Sequence, residues 1–273
     1  AISPGFDAND MGFHTASDLR RVHGLLGHQR MTPGTFRRWW WWWNSWSAWT
    51  GGGEHVQLGS QVNTNFETHA QWLVSSAFRR EQAALSTTAL RGGPALLAPG
   101  RWRMGHTLTS DARRRAGTSS NVTLAWGDEG ERLRRVAPLV RLRPTAASDL
   151  SLQATVERFH HPAQWIGRTT YAGEPVYLAG ALRQATRALT ARLDLAFTRD
   201  LTLAAYAQAF SSEGRFAAVR RVAAPRAGAF DARYAALADA QVQREGDRLA
   251  LDLDGDGAID ASVANPSFDG KEL

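Results

Sequence analysis

The stretch Val56-Gln57-Leu58-Gly59-Ser60-Gln61-Val62-Asn63-Thr64-Asn65-Phe66 decides the fold. Its even positions are Val56, Leu58, Ser60, Val62, Thr64 and Phe66, and its odd ones are Gln57, Gly59, Gln61, Asn63 and Asn65. One face is mostly apolar and the other polar. That period of two belongs to a half-buried β-strand, whose successive side chains point to opposite faces. Outward from this stretch the pattern recurs: Ala70, Trp72, Val74 and Phe78 oppose His69, Gln71 and Ser75. Trp102, Met104 and Leu108 oppose Arg101, Arg103 and Thr107, and Val122, Leu124 and Trp126 oppose Asn121 and Thr123. Leu150, Leu152, Ala154 and Val156 oppose Ser151, Gln153, Thr155 and Glu157, and Leu189, Leu193, Leu195 and Phe197 oppose Thr190, Arg192 and Asp194.

The alternation predicts ten strands, over 19–30, 36–50, 55–67, 69–80, 101–110, 118–127, 132–143, 149–160, 176–197 and 201–210. Short helices are expected only around Glu81–Leu90 and Phe230–Ala240. Most strands span roughly 10–13 residues, against about five or six in soluble sheets and about 9–11 for a tilted strand crossing a bilayer. The connections carry a second signal. The odd ones are short: Met31–Gly34, a turn near Thr68, Ala112–Ala116, Pro144–Ser148 and Thr198–Asp200. Three even ones are long, at 81–100, 161–175 and everything after 210, whereas Gly51–Glu54 and Asp128–Glu131 are modest. Outer-membrane barrels alternate short periplasmic turns with longer extracellular loops.

The expected fold is therefore all-β: an antiparallel up-and-down transmembrane β-barrel domain over 1–273 in the bacterial outer membrane, touching its lipid. About ten barrel strands fill 19–210, with 1–18 and 211–273 extracellular. Termini on that side predict an incomplete portion of a larger barrel, and Phe268–Leu273 is read as holding no closing strand. Ala1-Ile2-Ser3-Pro4-Gly5 shows no basic-then-apolar leader, which implies its removal or a start inside a longer protein.

Composition narrows the classes. An apolar fraction of 43% with 21% charged residues excludes general disorder. The absence of cysteine excludes a disulfide scaffold, a thiolate zinc site and a cysteine nucleophile. No apolar run approaches the length of a transmembrane helix, which leaves strands untouched. The formal charge is +6, but Lys271 is the only lysine and the arginines are spread along the chain, so no nucleic-acid partner is expected.

Several segments, in their order, resemble a known family. They are Asn9-Asp10-Met11-Gly12-Phe13, Arg91-Gly92-Gly93-Pro94-Ala95-Leu96, Tyr206–Phe210, Ser211–Phe216, Asp254-Gly255-Asp256-Gly257 and Asn265-Pro266. The chain resembles the C-terminal β-barrel, a domain of unknown function, of large bacterial outer-membrane proteins with an N-terminal family-nine-type carbohydrate-binding domain. The resemblance covers nearly the whole chain and implies a surface-exposed barrel without catalytic residues to carry over. It also implies a final strand rich in aromatic and arginine residues after Asn265–Phe268, from which this sequence departs, and the carbohydrate-binding domain is absent.

Two constellations stand out. Trp39, Trp40, Trp41, Trp42 and Trp43, followed by Trp46 and Trp49, put rings on both faces of one strand. Lipid contact and internal packing explain them first, and stacking on a carbohydrate or other small solute is the functional alternative. Asp252, Asp254, Asp256 and Asp260, with Gly257, follow the spacing of a calcium loop, although the twelfth position is Val263 instead of glutamate. The flanks Arg248–Leu251 and Ala261–Val263 read as strands, which gives a hairpin tip with weakly bound Ca2+ or, more blandly, an acidic turn.

Other features are weaker. Arg91-Gly92-Gly93-Pro94 reads first as turn chemistry, with a loop folded into the barrel as the alternative. Arg134, Arg135, Arg141 and Arg143 fall on both faces of one strand, in which Pro138 hints at an irregularity. His160-His161 near Glu157 and Tyr171 is read as a surface pair, and no catalytic residue is assigned. The function expected is solute binding, uptake or passage at the cell surface. The alternatives are a soluble secreted β-sheet module binding carbohydrate and an outer-membrane hydrolase.

Overall fold

A computed structural model describes residues 18–272. The Asn9–Phe13 motif and residues 1–17 of the predicted outer segment lie outside the described residues. The chain is all-β and antiparallel. Its strands are β1 (Arg20–Arg30), β2 (Arg38–Trp49), β3 (His55–Glu67), β4 (Leu73–Glu81), β5 (Ala84–Ser86), β6 (Leu96–Ala98), β7 (Arg101–Thr109), β8 (Ala116–Gly127), β9 (Arg132–Leu142), β10 (Ser148–Tyr171), β11 (Glu174–Ala196) and β12 (Thr202–Val222). There follow α1 (Phe230–Arg233), β13 (Tyr234–Ala236), a 3-10 turn at Asp239–Gln241, β14 (Val242–Glu245), β15 (Arg248–Leu251), β16 (Ala261–Ala264) and β17 (Phe268–Glu272).

One sheet runs β1-β2-β3-β4-β7-β8-β9-β10-β11-β12, with β13 and β17 added on β12. Its ten long strands overlap the ten predicted from alternation. No pairing joins β1 to β12 among the described residues, so the sheet is open. Residues 268–272, to which the sequence reading gave no strand, pair with β12 from Phe210↔Glu272 to Gly214↔Phe268.

Register sorts the side chains into two faces. One row crosses the sheet as Leu26, Trp43, Val62, Phe78, Met104 and Leu124, and another as Trp39, Phe66, Val74 and Leu108. Further along lie Val140–Leu152–Ala191–Ala207 and Leu142–Leu150–Leu193–Ala205. This apolar face is open to the surroundings, with Val140 at 48% and Leu152 at 47% exposure. The opposite face carries Asn63, Asn65, Ser75, Thr107, Asn121, Gln153, Thr155, Thr190 and Gln208.

Two predicted boundaries are wrong. Residues 161–175, expected as a long loop, continue β10 and β11 to a tight turn at Ala172 and Gly173, whose φ values are 49° and 84°. Positive φ at both central residues matches the twist of a two-residue hairpin. The β10–β11 ladder shifts register between His161 and Gln164 and again between Trp165 and Gly167. Each bulge breaks the period of two, which is why the alternation fails there. Residues 211–222, assigned to the extracellular segment, likewise continue β12. The helix expected near 81–90 is absent, as β4 ends at Glu81 and β5 follows; of the helix expected over Phe230–Ala240 only the single turn Phe230–Arg233 forms before β13.

The packed core sits where β10, β11 and β12 outrun their neighbours. β9 begins at Arg132, opposite His160, so β10 beyond that point stands clear of it. Leu178, Val219, Leu237, Leu249, Leu251, Leu253 and Val263 form one buried cluster, and Leu90, Leu96, Ala163, Ala179 and Tyr234 form a second. Each large side chain so buried contributes about 1.5–3 kcal/mol relative to exposure. The 82–100 connection and the 223–264 segment are thus fixed to the strand extensions, and Leu97 N–H donates to Pro225 O at 2.8 Å. At the other end the turns are short. There Glu67 is buried and accepts from Arg37 and Arg38, and Asp149 holds Arg141 and Arg143. Pro138 keeps the register, but the β9–β10 ladder lapses opposite it, where the missing N–H leaves nothing to donate.

Candidate functional site

A cavity of about 1050 Å3 opens on the polar face at the end with the longer connections. Arg21, His23, Trp46, Arg79, Glu81 and Arg101 line it from the sheet, and residues 84–88 complete the lining from the connection after β4. Glu81 accepts from Arg79 and Arg101, and Arg101 lies 3.9 Å from Glu131. The Arg79 guanidinium stacks over Trp46, 4.7 Å from the ring centroid. Gly59, on the adjoining strand, leaves room for that ring, since a Cβ there would come within 2.5 Å of it. The lining thus combines mixed charge, hydroxyls and one aromatic plate, which suits a polar solute. The connection holding Arg91–Pro94 contributes Ala84–Thr88, Ala98 and Pro99 to this lining.

His161 also borders the cavity, against the reading of a plain surface pair. Burial, aided by the positive charges of His160 and Arg101, holds its imidazolium pKa down to about 4. The ring is therefore neutral at pH 7; its Nδ1 accepts from the Ala163 N–H at 3.2 Å, which leaves Nε2–H as a donor to a ligand. Its neighbour His160 contacts Leu182 O through Nδ1 at 3.0 Å.

The acidic loop is a hairpin tip, as the flanks predicted: β15 pairs with β16 on either side of it. Oxygens of Asp252, Asp254 and Asp260 lie within 4.8 Å of one another. Asp256 is outside this group, and its Oδ1 accepts from Ala258 N at 2.7 Å. Asp252 accepts from Gly255 N at 2.6 Å and Gly257 N at 2.9 Å, and Asp260 accepts from Leu253 N at 2.6 Å. Gly255 and Gly257 both take positive φ, which the two sharp turns require. Three converging carboxylates fit a hard divalent cation, although each also caps its own loop. Val263, at the twelfth position, is buried in the core and offers no oxygen ligand from its side chain.

Sequence spacing could not show that Tyr171, at the tip of β10, donates to Asp254 Oδ2 at 2.7 Å. That bond, with the nearby carboxylates, pushes the phenol up to about 12. In return the Tyr171 hydroxyl, and then the Asp256 backbone N–H, hold the Asp254 carboxyl below its ordinary range.

The tryptophan run divides as predicted. Trp39, Trp41 and Trp43 share the apolar face, and Trp40, Trp42 and Trp46 share the polar one. The Trp42 ring lies across Gly27 of β1, where a Cβ would meet it at 2.0 Å. Trp49 stacks on His55 with centroids 5.4 Å apart. The structure also forms two Ser–His contacts, Ser47–His55 and Ser76–His106, each at 2.8 Å. Neither histidine has a carboxylate behind it among the described contacts, so the third member of a nucleophile–base–orienter set is missing.

No family model, no curated protein and no solved structure matches the chain.

Proposed function

We propose that the chain is a bacterial outer-membrane β-barrel protein that binds or passes a polar solute at the cell surface. One observation carries this reading: the exposed face of ten consecutive long strands is apolar while the opposite face is polar. An uncovered apolar face of this extent is costly in water and natural in lipid. Strands β1–β9 that belong to the sheet have the length a bilayer asks for. Phe78, Trp102 and Trp126 stack along the upper edge of the apolar face, with Arg80 over Trp102 at 5.0 Å, as an interfacial girdle does. The polar face then lines the lumen, and the cavity lined by Arg21, Trp46, Arg79 and residues 84–88 is its outer vestibule. The resemblance to the C-terminal barrel of large outer-membrane proteins is in keeping with this. Asp252, Asp254 and Asp260 hold Ca2+ weakly and order the outer loop; the reading assigns no catalytic residue.

The test is to fold the full chain in detergent and compare boiled with unboiled samples on a gel, then to place peptide tags at Gly52 and Ala146 in cells. A heat-dependent mobility shift, with the Gly52 tag reachable from outside and the Ala146 tag not, supports the reading. A chain that stays monomeric and folded without detergent overturns it, and carbohydrate stacking by Trp40, Trp42 and Trp46 becomes the next question.

A further inference from the structure

Four arginines cluster on the apolar side of the sheet at its upper edge. Arg132 and Arg134 stand on β9, Arg158 on β10 and Arg183 on β11, and all four are exposed. Register sets Arg134 directly opposite Arg158, and places His160 between Arg132 and Arg183. Directly opposed residues on one face have Cβ atoms about 4.5–5.5 Å apart, where like charges repel. None of the four pairs with a carboxylate among the described residues. Glu157 faces the other way, toward Arg135 at 4.0 Å, and the outward Glu213 is already held by Arg215. A fifth outward cation, Arg187, lies one row below beside Val156.

This patch is continuous with the apolar band. Immediately beneath it come Val136 and Val156, then Val140, Leu152 and Leu189, all exposed. Beside it, in the row of Arg132, are the girdle residues Trp102 and Trp126. Cations above and aliphatic side chains below match an acyl lipid with an anionic head. Guanidinium groups bind phosphate through paired N–H donors, and four of them across three strands exceed what one phosphate requires. We propose that this surface docks a membrane lipid bearing more than one phosphate, with its acyl chains lying on Val136, Val156 and Leu189. The inference rests on the outer-membrane reading.

The full chain, reconstituted in phosphatidylcholine bilayers, is titrated with lipid A carrying both phosphates and with the same lipid stripped of them, and bound lipid is counted by native mass spectrometry. The expected result is retention of the phosphorylated form alone. The Arg134→Gln/Arg158→Gln variant, checked for the same heat-modifiable band, weakens binding about tenfold, on the scale of one lost charge-assisted hydrogen bond. Equal retention of both lipids overturns the proposal, and that comparison needs no variant. Displacement of the lipid by millimolar inorganic phosphate also overturns it, since a free anion would then suffice. Failure to enter phosphatidylcholine bilayers overturns the membrane reading itself, whereas entry without lipid discrimination overturns only this docking site.

Discussion

Arg233 has no exposed surface, and its guanidinium is bound to Glu129, which lies 104 positions earlier in the turn between β8 and β9. Its Nη1 also donates to Ala227 O at 2.6 Å, and its central carbon lies 5.3 Å from the centroid of the Tyr234 ring. This buried pair ties the segment after β12 to the middle of the sheet. Arg226 makes a second tie from that segment to Glu54, in the turn between β2 and β3.

Removing one partner of such a pair strands a buried charge. Glu129→Ala should therefore destabilise docking of the 223–237 segment by about 3–5 kcal/mol. Arg233→Met removes the charge with the side chain and should cost less. Amide hydrogen exchange over 223–237 measures both; a loss below ~1 kcal/mol in Glu129→Ala would refute the clamp.

The Tyr171–Asp254 bond makes a pH prediction. The folded state favours the neutral phenol, so its contribution is fully present below the ordinary tyrosine value of 10.0 and is lost as pH rises toward about 12. Asp254 has the opposite sign: its contribution is present above the ordinary carboxylate value of 3.8 and is lost as pH falls through the lowered one. The phenolate absorbance of the wild type minus that of Tyr171→Phe should show one group titrating near 12. Asp254→Asn should return that group toward 10.0. An ordinary titration in the unsubstituted chain would dismiss the contact.

Calcium binding should depend on the three carboxylates that converge. Asp252→Asn, Asp254→Asn and Asp260→Asn are each expected to weaken it about tenfold, because affinity follows ligand charge count. Asp256→Asn should change it by less than about twofold. Calorimetry with CaCl2 decides, and chelation should speed proteolysis of 245–265. Equal losses at all four positions would mean the loop binds as a diffuse acidic turn.

The two faces can be distinguished by one charge. Leu152→Arg places a cation on the apolar face and should impair folding into bilayers by about 2–4 kcal/mol. Gln153→Arg points it the other way and should be tolerated. Urea titration in lipid vesicles measures the difference. If both variants behave alike, the apolar face does not meet lipid.

The sequence by itself determined the ten long strands over most of their length, and their faces. Period-two alternation reports directly which side of a half-buried strand each residue occupies, so the ten long strands, the split of Trp39–Trp43 and the hairpin flanking Asp252–Asp260 were all legible. Alternation says nothing where both faces of a strand pack, as Ile166 does on one side and Ala163 and Trp165 do on the other. From His161 to Gly167 two bulges and packing on each side erase the period, and a loop was expected in place of a rising hairpin. Partners distant in the chain were equally invisible. Arg233 with Glu129, Tyr171 with Asp254, and Arg134 opposite Arg158 depend on register and on how the 223–264 segment folds back. Only the tertiary structure decides such pairs, because long-range contacts leave no local pattern in the chain.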